Sequence, residues 1–274
     1  NGNSWTQQGL DIIGQFLGDL SGFSVSMNGT GNRVVIGAPG DTQNGTFAGN
    51  VRVYEWNGLL WVQKGLDITG EAAGDKLGIS VSINDAGTRI ILGAQGNDGT
   101  ASDAGHARVY EWDNTNWNQM GTDIDGEADN DKSGSAVSMN ALGDIVAIGA
   151  PYNDGNGIWS GTVRTYQWNG SAWVQMGADI DGEATGDNFG FSVSLNAFGD
   201  KLAVGSIMND GNGTSAGHVR VYNYNGNNWV QIGVDLDGHL NFDHFGHSVS
   251  LNAAGDKLAV GATGDIFTNS NISG

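Results

Sequence analysis

The chain contains no cysteine, so no disulfide supports its fold, and neither a thiol nucleophile nor a cysteine-ligated metal centre is available to it. Prolines number only 2, and 11 basic side chains stand against 30 acidic ones, a formal net charge of −19. That imbalance argues against nucleic acid or an anionic membrane surface as partner and favours attraction of cations. No apolar run is long enough to span a bilayer as a helix, and no window carries helical periodicity. Neither an initiator methionine nor a secretory leader opens the sequence, as expected of a processed protein or a fragment. Glycine is abundant, 47 of 274 residues, which serves turns and close strand packing better than it serves a phosphate-cradling loop.

The strongest pattern is a repeat. Trp5, Trp61, Trp117, Trp173 and Trp229 stand 56 residues apart, dividing the chain into units 1–56, 57–112, 113–168, 169–224 and an incomplete 225–274. Each unit holds four strand signals. The first alternates, as in FSVSMN at 23–28, where Phe23, Val25 and Met27 face one way and Ser24 and Ser26 the other. A tight turn such as NAFGD (196–200) or NAAGD (252–256) leads to a second strand of the KLAVG type. The third is VRVYEW at 51–56, and the fourth WVQKGLDI at 61–68, both rich in β-branched and aromatic residues. Four strands in a unit of this length, repeated, predict an all-β fold: a β-propeller of four-stranded antiparallel blades. Five repeats are visible, as a five-bladed ring or part of a larger one. The whole chain, 1–274, is then a single repeat array.

Blade sheets pack both faces against neighbours, which places Arg52, Arg108, Arg164 and Arg220 between blades. Buried guanidinium needs carboxylates, and two acidic positions recur in every unit: Asp11, Asp67, Asp123, Asp179 and Asp235, with Asp19, Asp75, Asp131, Asp187 and Asp243 eight residues on. A ring of Arg–Asp pairs is expected. Relative to its predecessors the last unit lacks the equivalent of NVRVYEW (50–56), so the native chain is expected to continue past Gly274.

At FGFSVSLNAFGDKLAVGS (189–206), FGHSVSLNAAGDKLAVGAT (245–263) and VAIGAP (146–151) the chain resembles the FG-GAP repeat family, the blades of integrin-α-like propellers. The resemblance covers every repeat, and the fuller pattern is similar to tandem repeats of secreted surface proteins. It implies extracellular adhesion or ligand binding without enzyme activity. The chain departs from the family at the calcium loop that many FG-GAP blades carry between their first two strands. A short NAFGD-type turn stands there instead, so that calcium site does not carry over.

Two regions are candidate sites. The segments DIDGEADND (123–131) and DIDGEATGD (179–187) bring Asp123, Asp125, Asp131, Asp179, Asp181 and Asp187 around a glycine turn, the hard-oxygen set that calcium takes. Turn capping combined with pairing to the repeated arginines is the other account, since Ile13 and Thr69 replace the middle Asp in two units. The loop after the second strand varies most. There Asn153, Asp154 and Asn156, with Asn209 and Asp210, can hydrogen-bond hydroxyls, and Trp159 and Phe47 offer faces on which a sugar ring stacks. Trp159 is the one Trp outside the two repeated positions.

His239, His244 and His247 gather in the last unit, but the spacing of the latter two turns them to opposite sides of an extended strand. His106 and His218 occupy repeated positions before the third strand and read as structural. Glycosylation sequons fall at Asn28, Asn44, Asn169, Asn212 and Asn271. No non-repeated acid–base or nucleophile constellation points to an enzyme. The expected role is a secreted, cell-surface recognition or adhesion module for glycans or a protein partner. The alternative is a structural subunit of an extracellular appendage, filament or coat, self-associating through blade edges or loops.

Overall fold

The structure is a computed structural model and describes residues 4–264. It is all β, built from blade-like sheets. Blade 1 holds β1 (Ser24–Met27), β2 (Arg33–Ala38), β3 (Asn50–Trp56), β4 (Trp61–Gln63) and β5 (Ile68–Thr69). Blade 2 holds β6 (Ser80–Ile83), β7 (Arg89–Ala94), β8 (His106–Trp112), β9 (Trp117–Gln119) and β10 (Ile124–Asp125). Blade 3 holds β11 (Ala136–Met139), β12 (Ile145–Ala150), β13 (Thr162–Trp168), β14 (Trp173–Gln175) and β15 (Ile180–Asp181). Blade 4 holds β16 (Phe189–Leu195), β17 (Lys201–Ser206), β18 (His218–Tyr224), β19 (Trp229–Gln231) and β20 (Leu236–Asp237). A fifth sheet pairs β21 (Ser248–Leu251) with β22 (Leu258–Gly261), and residues 265–274, on which the expectation of a missing strand rests, lie outside the described residues.

Each blade runs antiparallel in chain order, with its last two segments both paired to the third strand. The predicted fourth strand, 61–68, is therefore two pieces. The cause is a glycine. After Gln63 the chain makes one more ladder bond, Lys64 N–H to Val53 C=O at 2.7 Å, then turns at Gly65 with φ +83°. A Cβ on Gly65 would lie 2.9 Å from both Trp112 and Trp117 of the next blade, so the strand yields where the neighbour's aromatic pair packs. These pairs, Trp56–Trp61, Trp112–Trp117, Trp168–Trp173 and Tyr224–Trp229, hold their rings 5.3–5.5 Å apart.

Blades and repeat units are out of phase: the fourth strand of each blade comes from the start of the following unit. Its Trp then reaches sideways. Trp117 Nε1–H donates to Lys64 C=O at 2.9 Å and Trp173 Nε1–H to Met120 C=O at 2.9 Å. Trp61 makes the same bond to Gln8 C=O at 3.0 Å, so the opening stretch, which holds no strand, stands against blade 1 where a preceding fourth strand would be.

The innermost strands carry the contact between blades. The outward serines of the SxS pattern are its hydrogen-bonding half. Ser24, Ser80 and Ser192 Oγ–H each donate at 2.7 Å to the carbonyls of Gly78, Gly134 and Gly246 in the next blade. Ser82, Ser138 and Ser194 Oγ accept the N–H of Met139, Leu195 and Leu251 at 3.0–3.2 Å. Beyond them, the β1–β2-type turns are chained: Asp85 N–H to Ala141 C=O, Ala141 to Ala197 and Ala197 to Ala253, each 3.1 Å. Asn140 ties its own turn, Oδ1 accepting from Gly143, Asp144 and Ile145 at 2.9–3.0 Å. Asn28 does likewise and is buried, which removes that sequon as a glycan site. Between the sheets lies the apolar core, as where Val35, Val51 and Val53 meet Leu77, Val81 and Ile90. Each such side chain contributes about 1.5–3 kcal/mol by burial.

The serine bonds and the glycine contacts should separate in a urea titration. Ser82→Ala is expected to cost about 1 kcal/mol, the ordinary worth of one hydrogen bond. A Cβ at Gly149 would run into the Gly190 backbone carbonyl of the next blade. Gly149→Ala should therefore cost more than about 3 kcal/mol, as rigid overpacking does. Equal losses for the two variants would refute the close-approach account.

Candidate functional site

The loops that follow the second strands and the segments that enter the first strands share one face. At its centre lies a depression of about 910 Å³ lined by Phe23, Ile79, Ser135, Phe191 and His247, together with Gln95, Asn130, Lys132, Pro151, Tyr152 and Trp159. The first five are one repeat position, 56 residues apart, just ahead of the inner strands or, for Phe191, near the start of one. Strand pattern alone did not single it out. The available signal was its variability: a residue of different chemistry in nearly every unit, inside an otherwise uniform stretch.

Trp159 stands at the rim, 54% exposed, its ring edge-on to Tyr152 at 5.9 Å. Phe191 and His247 face each other across the wall at 5.2 Å. Ser135 Oγ–H donates to Gln95 Oε1 at 2.9 Å, orienting that amide, and Lys132 Nζ is held 2.8 Å from Asp103. Trp159 sits at φ +56°, as does Phe47 two units earlier, with Asp154 Oδ1 accepting the Trp159 N–H at 2.8 Å. Phe47 is equally exposed but does not line the depression.

The remaining loop candidates serve the loops themselves. Asn153 is buried, its Oδ1 capping Gly155 N–H at 2.8 Å and its amide donating to Asp131 Oδ2 at 2.9 Å. Asn209 repeats this with Gly211 and Asp187 at 2.9 and 3.0 Å. Asn156 donates to Gly182 C=O at 2.9 Å, and Asp210 accepts from Ser215 N–H at 2.7 Å.

The acidic segments divide in the same way. Asp131 Oδ2 accepts the N–H groups of Glu127 and Ala128 at 3.2 and 3.0 Å, and Asp187 that of Ala184 at 3.2 Å. Asp123 and Asp179 take the amides of Gln119 and Gln175 at 2.5 and 2.6 Å. Asp125 and Asp181 lie in β10 and β15. The six thus face different partners instead of one common point. Burial pushes the Asp187 carboxyl up, as it does that of Asp125, where Asp123 and Glu71 add to the effect.

The expected Arg–Asp ring is only partly present. Arg52 lies 3.6 Å from Asp19, and Arg220 forks onto Asp235 at 2.9 and 2.7 Å while also meeting Glu183. Arg108 and Arg164 instead pair with Glu71 at 3.4 Å and Glu127 at 3.2 Å. The difference follows the residue at one repeat position: units 2 and 3 offer Glu71 and Glu127 there, whereas unit 1 has the uncharged Gln15, which leaves Arg52 to Asp19 although that carboxylate also accepts three backbone N–H groups.

Histidines fall into two sets. His244 lies not in a strand but in the turn before β21, at φ +51°, its Nδ1 3.2 Å from Ile207 C=O. The strand-alternation argument therefore does not apply to it. His106 and His218 head β8 and β18 and are buried at 0% and 1% exposure. Glu71, His106 and Asp123 bring one ligand atom each within 4.8 Å of one another, and so do Glu183, His218 and Asp235. Burial, with Arg108 adding to it, pushes His106 from 6.5 down to about 4, and burial with Arg220 lowers His218.

No protein-family model matches the chain, and no curated protein matches it. Among solved structures it is similar to a chain of Kuenenia stuttgartiensis hydrazine synthase, at 12% identity and a TM-score of 0.56. The match covers 87% of this chain and 70% of that one, and at this identity it is a likeness of fold.

A histidine whose folded pKa lies below its unfolded one supports the fold above the unfolded value and withdraws that support as protons bind the unfolded chain. Stability is therefore expected to fall as pH drops from 6.5 toward about 4, the window of His106. In urea titrations across that range, His106→Asn should show a shallower decline. An unchanged slope would refute the assignment.

Proposed function

We propose that the chain is a non-catalytic, extracellular recognition module whose propeller presents a glycan-binding depression at the centre of one face. The observation that carries this reading is the lining. An open hollow of about 910 Å³, walled by Phe23, Phe191, Tyr152 and Trp159 and supplied with the polar groups of Gln95, Asn130, Ser135 and His247, suits a ligand with apolar ring faces and many hydroxyls. Trp159 offers its exposed ring as the stacking platform and Gln95 an amide already held by Ser135.

Hydrolysis of a bound sugar by the usual route would need a pair of carboxylates beside it. Among the described residues, those lining the hollow include none. The resemblance to FG-GAP repeats supports an adhesion role, and the capping contacts of the Asp segments support a structural rather than calcium-binding part for them. A second reading, a subunit of an extracellular appendage, draws on the exposed apolar face of β1, where Val25 and Met27 are 63% and 55% accessible.

The test is a glycan array probed in calcium and again in EDTA, followed by calorimetry on the best oligosaccharide. Selective retention that survives EDTA is expected. Trp159→Ala and Phe191→Ala should each weaken it about tenfold or more, ~1.4 kcal/mol, with the melting temperature of Trp159→Ala unchanged. Retention lost in EDTA would move the role to the Asp segments, and silence on both arrays would favour the appendage.

A further inference from the structure

His106 poses a problem that, among its counterparts at this repeat position, only His218 of blade 4 shares in full. It heads β8, is fully buried, and neither ring nitrogen has a hydrogen-bond partner. Its Nδ1 points toward carboxylates without bonding them: Asp123 Oδ2 lies at 3.4 Å and Asp125 Oδ1 at 3.9 Å. Leaving such a group unsatisfied costs about 1–3 kcal/mol. The same position in blade 1 is Asn50, whose amide donates to Asp67 at 3.0 Å. In blade 3 it is Thr162, whose hydroxyl donates to Ile180 C=O at 3.3 Å. Asn50 leaves its Oδ1 unpartnered, but each of these side chains has its donor bonded within the protein, whereas neither nitrogen of His106 is bonded at all.

The charge around His106 is also unbalanced. Glu71, arriving from the end of blade 1, joins Asp123 and Asp125 of blade 2; of these three carboxylates Arg108 pairs with Glu71 alone, and Arg164 of the next blade bonds Asp125 only at its backbone carbonyl, 3.1 Å away. Arg108 reaches Glu71 only at 3.4 Å and leaves its Nε unpartnered. Blade 4 carries the same residue types in Glu183, His218 and Asp235, but there Arg220 forks onto Asp235 and also binds Glu183, closing the set with its own cation.

We propose that Glu71, His106 and Asp123 form a site for a divalent transition ion of the zinc type, bound between blades 1 and 2. One imidazole nitrogen with two carboxylate oxygens is the donor set such ions take, whereas calcium prefers oxygen alone. Ligands at about 2.0–2.2 Å from zinc stand about 3.3–3.6 Å from one another. The three donor atoms already lie within 4.8 Å, and Glu71, whose side chain is half exposed, has the freedom to swing in. The ion would give His106 Nδ1 its partner, offset two of the three negative charges, and staple the exit of one blade to the third strand of the next. The site is independent of the central depression.

The test starts from protein treated with EDTA and dialysed, titrated with zinc chloride by calorimetry, with metal content read by mass spectrometry and melting followed in parallel. About one zinc ion per chain and a raised melting temperature are expected, since a ligand that binds only the folded state stabilises it. His106→Asn installs the side chain blade 1 already carries at Asn50, and Glu71→Gln the residue the opening stretch carries at the equivalent position, Gln15, so both variants should fold. Each should bind zinc at least about 100-fold more weakly, ~2.7 kcal/mol. His239→Ala and His247→Ala, which alter exposed histidines, should leave binding unchanged. No zinc uptake by the wild type, undiminished binding in both site variants, or loss of binding in the exposed-histidine variants would each overturn the proposal.

Discussion

Everything in this molecule depends on how closely the backbone of one blade can approach the backbone of the next at the inner strands. Gly37, Gly93, Gly149 and Gly205, late in the second strands, stand directly beneath the carbonyls of Gly78, Gly134, Gly190 and Gly246, which open the first strands of the following blades. The latter four all adopt φ between +83° and +91°, a region that L side chains avoid. At the interface of blades 3 and 4, Gly149 of the run Gly-Ala-Pro meets Gly190 of the pair Phe-Gly. That close approach sets the spacing at which the serine hydroxyls reach neighbouring backbone groups. The same spacing lets the valine and leucine layers interdigitate outside them.

The architecture was legible in the sequence because it is periodic. A spacing of 56 residues, alternation in the first strand and Asx–Gly turns gave four strands per repeat, and the described residues carry them in that order. What sequence reasoning missed was relational. Gly65 looks like any glycine within a strand until Trp112 and Trp117 of another blade are seen against it. Likewise, the repeated Asp and the neighbouring Glu are equally plausible arginine partners until the reach of each carboxylate across the blade interface is seen.

The two sites were read unequally. Trp159 stood out as an aromatic with no architectural reason to be there, and it does line the central hollow, while Asn153 and Asn209 from the same loops turned inward to hold them. The position 23, 79, 135, 191 and 247 escaped notice because it lies next to a strand whose regularity drew the attention. His106 and His218 were read as structural on their register alone. Their burial agrees with that, but the unpartnered nitrogens and the contrast between Arg108 and Arg220 do not follow from register at all. In a repeat protein, what departs from the repeat is where individual chemistry is found.

The offset between unit and blade bears on how such an array changes length. Since each unit gives a fourth strand to one blade and three strands to the next, the covalent joint never coincides with the packing joint. Removing or adding 56 residues, wherever the cut falls within the unit, rejoins a fourth strand to a blade of the same pattern and leaves every interface with its glycine, serine and tryptophan in place. A change of another length within a strand shifts its interface residues against the neighbouring backbone, whereas the loops between strands can absorb one. The array is thus quantised in its strands: recombination between units keeps their register, and slippage inside a strand does not.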